Sequence, residues 1–140
     1  MDLGLRGRVA LVCGASSGLG RAVAMGLSRE GARLAICSRT EEKLTKAAED
    51  IRRETGTDVL AIRADVSVPA EVKDLVQKTV AHYNRLDILV TNAGGPPFGH
   101  FLDLPEDVWE KALRLNLLST LHLCREAVPH MKAEIGRAHV

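Results

Sequence analysis

Residues 8 to 20 read Arg8-Val9-Ala10-Leu11-Val12-Cys13-Gly14-Ala15-Ser16-Ser17-Gly18-Leu19-Gly20. The run from Arg8 to Cys13 is short, apolar and valine-rich, which is how a strand buried on both faces reads. A glycine-bearing loop follows at once. From Leu19 to Glu30 the small and apolar residues Ala22, Val23, Met25, Gly26 and Leu27 suit a helix lying on a sheet, closed by Gly31. Outward from this unit the pattern recurs. Ala32 to Cys37, Asp58 to Ala64 and Leu86 to Thr91 read as three further strands. Between them, Leu44, Ala47, Ala48 and Ile51 fall at i, i+3, i+4, i+7 behind a Thr40 cap. Val72, Leu75, Val76, Val80 and Tyr83 form the apolar face of a helix introduced by Ser67, Pro69 and Glu71, with Asn84 in the left-handed closing position. Pro105 opens a helical region that runs, with room for a break, to about Ala133. Strands alternating with helices of a dozen residues or more call for an α/β fold whose parallel sheet is covered on both faces. Right-handed crossovers then make it doubly wound.

Composition narrows the function classes. The chain has 140 residues, 46% apolar and 26% charged, which is enough for one core and too few for two substantial domains. A formal charge of +1, with basic residues scattered among acidic ones, leaves no electrostatic footprint for nucleic acid. Four aromatic residues, Tyr83, Phe98, Phe101 and Trp109, are too few for a base-stacking platform. No apolar run approaches the roughly 20 residues of a membrane span, and Met1 to Arg8 has no apolar signal core, so a cytoplasmic protein without a membrane partner is expected. Cys13, Cys37 and Cys124 are an odd count in apolar stretches and read as buried reduced thiols. The five histidines form no metal-binding spacing, so no metal is expected.

Ligands of an open parallel sheet bind at the carboxyl ends of its strands. Four segments fall on that edge. Gly14-x-x-x-Gly18-x-Gly20 is either a plain structural turn or a cradle in which backbone N–H groups and a helix N-terminus meet a pyrophosphate; its place between first strand and first helix favours the cradle. Ser38-Arg39 ends the second strand. An acid there would hold the ribose 2′-hydroxyl of NAD, whereas Arg39, if it is not merely a solvated charge, offers charge-assisted bonds to the 2′-phosphate of NADP. At Asp65-Val66 the carboxylate can accept from an adenine amino group while Val66 lies on the ring, or the aspartate simply closes a turn. Asn92-Ala93-Gly94 admits a ribose or nicotinamide close to the backbone, with a generic asparagine–glycine turn as the alternative.

These segments resemble the short-chain dehydrogenase/reductase family. Cys13 to Gly20 is similar to its T-G-x-x-x-G-x-G pattern, Asp65-Val66 to its D-V pair, and Thr91 to Gly94 to its N-N-A-G pattern. The likeness covers Leu5 to Lys132, with Cys13 in place of the threonine and Thr91 in place of the first asparagine. It implies a Rossmann-like sheet in the order 3-2-1-4, with later strands missing, and an NADP-dependent oxidoreductase, NAD being second choice. Cofactor contacts would come from Gly14, Ser16, Ser17, Gly18, Leu19, Gly20, Ser38, Arg39, Asp65, Val66, Asn92, Ala93 and Gly94. The substrate would be a small carbonyl or alcohol, 3-oxoacyl thioesters being one class among relatives, and the full-length form a homo-oligomer. Asn116 interrupts Leu113, Leu115, Leu117 and Leu118 within an apolar helix. The resemblance gives it a part in the proton relay, holding a water; the plainer alternative is a side chain bonded to neighbouring backbone.

The family's tyrosine acid with a lysine four residues on is not found. The sequence has one tyrosine, Tyr83, and Asp87 stands where the lysine would be. The resemblance puts serine, tyrosine and lysine beyond the last helix seen here, so this chain is expected to be the cofactor-binding part alone and inactive. Residues 1–133 are expected to form the partial dinucleotide-binding domain and 134–140 a non-native tail, since Ile135 to Val140 equals the translation of a common sequencing adapter. The other reading is a non-catalytic dinucleotide sensor or interaction module.

Overall fold

The computed structural model describes residues 1–138. Four strands, β1 (Val9–Val12), β2 (Arg33–Ser38), β3 (Val59–Arg63) and β4 (Ile88–Val90), pair in parallel in the order β3-β2-β1-β4, as expected. Val12 lies opposite both Ile36 and Val90, so β1 and β4 end side by side, β2 runs on to Ser38, and the loops that follow share one edge. Five α-helices complete the described chain: α1 (Gly18–Arg29), α2 (Glu41–Thr55), α3 (Pro69–Tyr83), α4 (Glu106–Leu113) and α5 (Ser119–Ala138). Alternate strand residues feed two cores. Val9, Leu11, Ala35 and Cys37 meet Val72, Leu75 and Val76 of α3 and Leu123 and Ala127 of α5. Ala10, Val12, Leu34 and Ile36 meet Ala24 of α1 and Leu44, Ala48 and Ile51 of α2.

Several local expectations need correction. The face α1 buries is Gly20, Ala24 and Ser28, while Ala22 and Val23 are exposed; a helix this close to a sheet admits only small side chains at i, i+4, i+8. Thr40 stands at the start of α2 without a side-chain capping bond, and α3 is entered through Val68 rather than Ser67. Asn84 does take the left-handed closing position, and Gly56 closes α2 in the same way, their N–H groups donating to the Val80 and Arg52 carbonyls. Cys13 and Cys37 are buried and reduced, but Cys124 is only half-buried.

The break in the last helical region is a π-helical segment, Arg114–Leu118, between α4 and α5. The leucine-rich stretch is not buried all round. Ser119, Leu123 and Ala127 form the buried i, i+4 stripe, with Leu115 half-buried, while Leu113 and Leu117 are 54% and 53% exposed. The helix expected to run to about Ala133 continues to Ala138; His139 and Val140 of the expected tail lie outside the described residues.

At the opposite end of the sheet, Asp87 ties β4 to β1. One carboxylate oxygen accepts from Val9 N at 2.9 Å, and Arg85 grips the group through Nε and Nη2, each at 2.8 Å. Burial works to raise the Asp87 pKa; the bonds from Arg85 and Val9 and the charges of Arg85 and Arg8 outweigh it, so the carboxyl titrates below its ordinary value.

Candidate functional site: a cleft at the carboxyl edge of the sheet

The β1–α1 turn is built by close approach. Gly14 has a φ of +59° and Gly18 of +55°, both in the left-handed region that glycine enters without strain. A Cβ on Gly20 would stand 2.1 Å from the Gly14 carbonyl oxygen, so the first turn of α1 sits directly against the end of β1. Asn92, just past β4, donates from Nδ2 to the same carbonyl at 3.3 Å and ties the two loops together. Around Gly18, by contrast, a Cβ would meet nothing within 4 Å. The side chain of Ser17 makes no capping bond, and the first turn of α1 carries no acidic residue. Its N–H groups, which have no intrahelical partner, and the positive end of the helix therefore face an open approach free of anionic competition.

Beside this turn lies a cleft of about 360 Å³. Gly14, Ser16, Ser17 and Leu19 line it from the β1–α1 loop, Ser38 and Arg39 from the end of β2, Asp65 and Val66 from beyond β3, and Asn92, Ala93 and Gly94 from beyond β4. All four segments marked in the sequence thus converge. Gly18 and Gly20 shape the turn without lining the cleft. Cys37, Thr40, Ala64 and Leu115 also line it and were not marked. Three of these adjoin marked pairs, and Leu115 directly precedes Asn116, so neighbourhood alone could have found them.

The charges are ordered. Arg39 is exposed, and no hydrogen bond or ion pair engages it among the described residues. Asp65 spends Oδ1 on Ser67, accepting from its N at 2.9 Å and its Oγ at 2.6 Å. Burial pushes the Asp65 pKa up, but the Ser67 bonds and the fields of Arg39 and Arg63 prevail and hold it below the ordinary value. Asp65 is a carboxylate acceptor at neutral pH. The Cys13 thiol, hydrogen-bonded to Cys37 and buried, is pushed well above its ordinary value and stays protonated.

Asn116 departs from expectation. It is exposed rather than buried, does not line the cleft, and donates from Nδ2 to Ala112 O at 2.9 Å, the local backbone bond of the plainer alternative. It nonetheless sits at the centre of the π-helical segment. Tyr83 is 5% exposed and donates to Leu34 O at 2.7 Å, near the start of β2 and away from the cleft. Burial, ahead of the nearby Asp58 charge, pushes its pKa up to about 12.

A doubly wound parallel sheet with a glycine turn leading into its first helix defines the class of dinucleotide-binding α/β proteins. Within that class the chain belongs to the short chain dehydrogenase family, whose profile matches residues 8–139. It is similar to versicolorin reductase 1 of Aspergillus parasiticus, with 39% identity over 134 residues, covering 95% of this chain and 50% of the relative. Among solved structures it is similar to L-sorbose reductase from Gluconobacter frateurii in complex with NADPH and L-sorbose, at a TM-score of 0.92 and 33% identity, covering 96% of this chain and 51% of that one. It is also similar to an NAD+-bound xylitol dehydrogenase, at a TM-score of 0.88 and 29% identity, covering 93% and 50%. The chain spans about half the length of the curated relatives it matches. No helix among the described residues is long and apolar enough to cross a membrane.

Proposed function

We propose that this chain carries the cofactor-binding part of an NADP-dependent reductase or dehydrogenase acting on a small carbonyl or alcohol, cytoplasmic and homo-oligomeric in its full-length form. The observation that carries the reading is the Gly14–Gly20 contact beside the open space at Gly18. It leaves room for a pyrophosphate where a helix N-terminus offers N–H groups, and a Cβ at Gly20 would destroy the turn. Ser16, Ser17 and Leu19 would hold the pyrophosphate side, Asp65 and Val66 the adenine, and Asn92, Ala93 and Gly94 the nicotinamide-side ribose. Bound there, the dinucleotide supplies hydride transfer. Arg39, exposed and without a hydrogen bond or ion pair among the described residues, at a β2 end where no acid stands to hold a ribose 2′-hydroxyl, supports a 2′-phosphate and hence NADP; relatives bind both forms, as the NADPH and NAD+ complexes illustrate.

Asn116 fits a supporting part in proton relay. Its amide nitrogen is spent on Ala112, which turns the side-chain oxygen free to accept from water. The general acid has to come from residues other than Tyr83, so the 140-residue chain is inactive by this reading. The relatives' names, reductase and dehydrogenase, support an enzyme over a sensor module, which no observation favours. Calorimetric titration of the chain with NADPH and NADH tests the proposal. Saturable binding with NADPH the tighter is expected, and absence of binding to either overturns it.

A further inference from the structure

The β3–α3 loop that carries Asp65 and Val66 is held by a residue outside the cleft. Glu71, in the first turn of α3, reaches back so that its Oε1 accepts from the backbone N–H of Asp65 at 3.2 Å and from Arg63 Nη1 at 3.3 Å. Two consequences follow. The Asp65 backbone is anchored to the rigid start of a helix, while Ser67 fixes its side chain through Oδ1 alone. This leaves Oδ2 without a hydrogen-bond partner among the described residues, on a residue that lines the cleft. Arg63 is engaged by Glu71; released, its guanidinium, whose charge already reaches Asp65 alongside that of Arg39, becomes a further cation able to pair with that free oxygen. Glu71 thus both aims the acceptor and keeps a competitor off it.

We propose that Glu71 is a positioning residue that tunes the cleft for an amino-bearing purine, acting through Asp65 and Arg63 without touching the ligand. The inference rests on the reading of the cleft as a dinucleotide site and adds selection between an adenine and its 6-oxo counterpart. Asp65, acceptor-only when ionised, can take a hydrogen bond from an exocyclic amino group and has nothing to offer a carbonyl oxygen.

The test is titration of the 140-residue chain and its variants with NADPH and with its deamino analogue, nicotinamide hypoxanthine dinucleotide phosphate. The original chain should prefer NADPH by on the order of tenfold, the discrimination of one hydrogen bond to a charged group. Glu71→Ala should reduce that preference to about threefold or less, chiefly through weaker NADPH binding. Glu71→Gln keeps an oxygen for the Asp65 N–H and should retain most of the preference, and thermal melting of each variant checks that it is folded. A Glu71→Ala variant that keeps the full preference, or loses affinity for both ligands equally, overturns the proposal, as does an original chain that binds both alike. An original chain that binds neither ligand refutes the dinucleotide reading itself.

Discussion

Gly20 lies so close to Gly14 that a Cβ on the former would stand 2.1 Å from the latter's carbonyl oxygen. The fold and the site therefore share one contact: the sheet receives its first helix where the cleft opens. Gly20→Ala must push α1 away from β1 or distort the turn. A loss of about 3 kcal/mol in stability is expected, at the upper end of core overpacking because the obstacle is backbone. Chemical denaturation of the variant beside the original chain measures it, and a loss below about 0.5 kcal/mol would show that the turn yields freely.

Gly18 separates binding from folding. A Cβ there meets nothing, so Gly18→Val keeps the packing and costs about 1–2 kcal/mol from its left-handed backbone. The branched side chain would nevertheless occupy the open approach to the helix N-terminus. Titration should show loss of both NADPH and NADH binding in a variant that still melts cooperatively; retained affinity would place the pyrophosphate elsewhere.

Arg39 should decide between cofactors. Arg39→Asp exchanges an unpaired cation for an anion at the end of β2, weakening NADPH by about 2 kcal/mol or more through loss of a charge-assisted bond and new repulsion. NADH should change far less. Equal losses for both would remove Arg39 from the 2′-phosphate site.

What the sequence makes legible follows from which forces are local. The parallel strands and the convergence of Gly14, Arg39, Asp65 and Asn92 are legible because buried parallel strands read as apolar runs and their ends must share an edge, whereas the strand order is legible only through the family resemblance. The buried face of α1 was misjudged at Val23, since apolarity does not say how close a sheet will come. In the sequence Asn116 breaks an apolar helix. The break is real, as a π-helical segment, but the side chain is exposed, because Leu113 and Leu117 share a stripe that the described residues leave uncovered. Glu71 was marked only as a helix start; its bond back to Asp65 depends on a loop geometry that spacing does not specify.

Asp87 makes acid sensitivity predictable. Its folded pKa is depressed, so its contribution is complete above the unfolded carboxylate value of about 3.9 and is lost as pH falls through the lower folded value. Denaturation midpoints measured from pH 7 down to pH 3 should fall for the original chain and fall less for Asp87→Asn, which keeps an acceptor for Val9 N but not the charge facing Arg85. Asp87→Ala, leaving that N–H and Arg85 without their 8%-exposed partner, should cost about 2 kcal/mol at pH 7. Parallel pH profiles for the original chain and Asp87→Asn would assign the acid sensitivity to other groups.

Tyr83 is placed as a structural tyrosine, away from the cleft. A tyrosine that serves as general acid must reach the substrate oxygen and surrender its proton near neutral pH. Tyr83 does neither: its hydroxyl donates to Leu34 O at the amino end of β2, and its pKa is pushed up to about 12. Tyr83→Phe should therefore destabilise the fold by about 1 kcal/mol, through loss of one buried hydrogen bond, and leave NADPH affinity unchanged. The purified 140-residue chain should bind NADPH without oxidising it when carbonyl substrates are added, as followed by nicotinamide absorbance. Sustained oxidation that disappears in Tyr83→Phe would make this tyrosine the acid after all, and sustained oxidation that survives the substitution would place the acid among residues of the chain not assigned to it here.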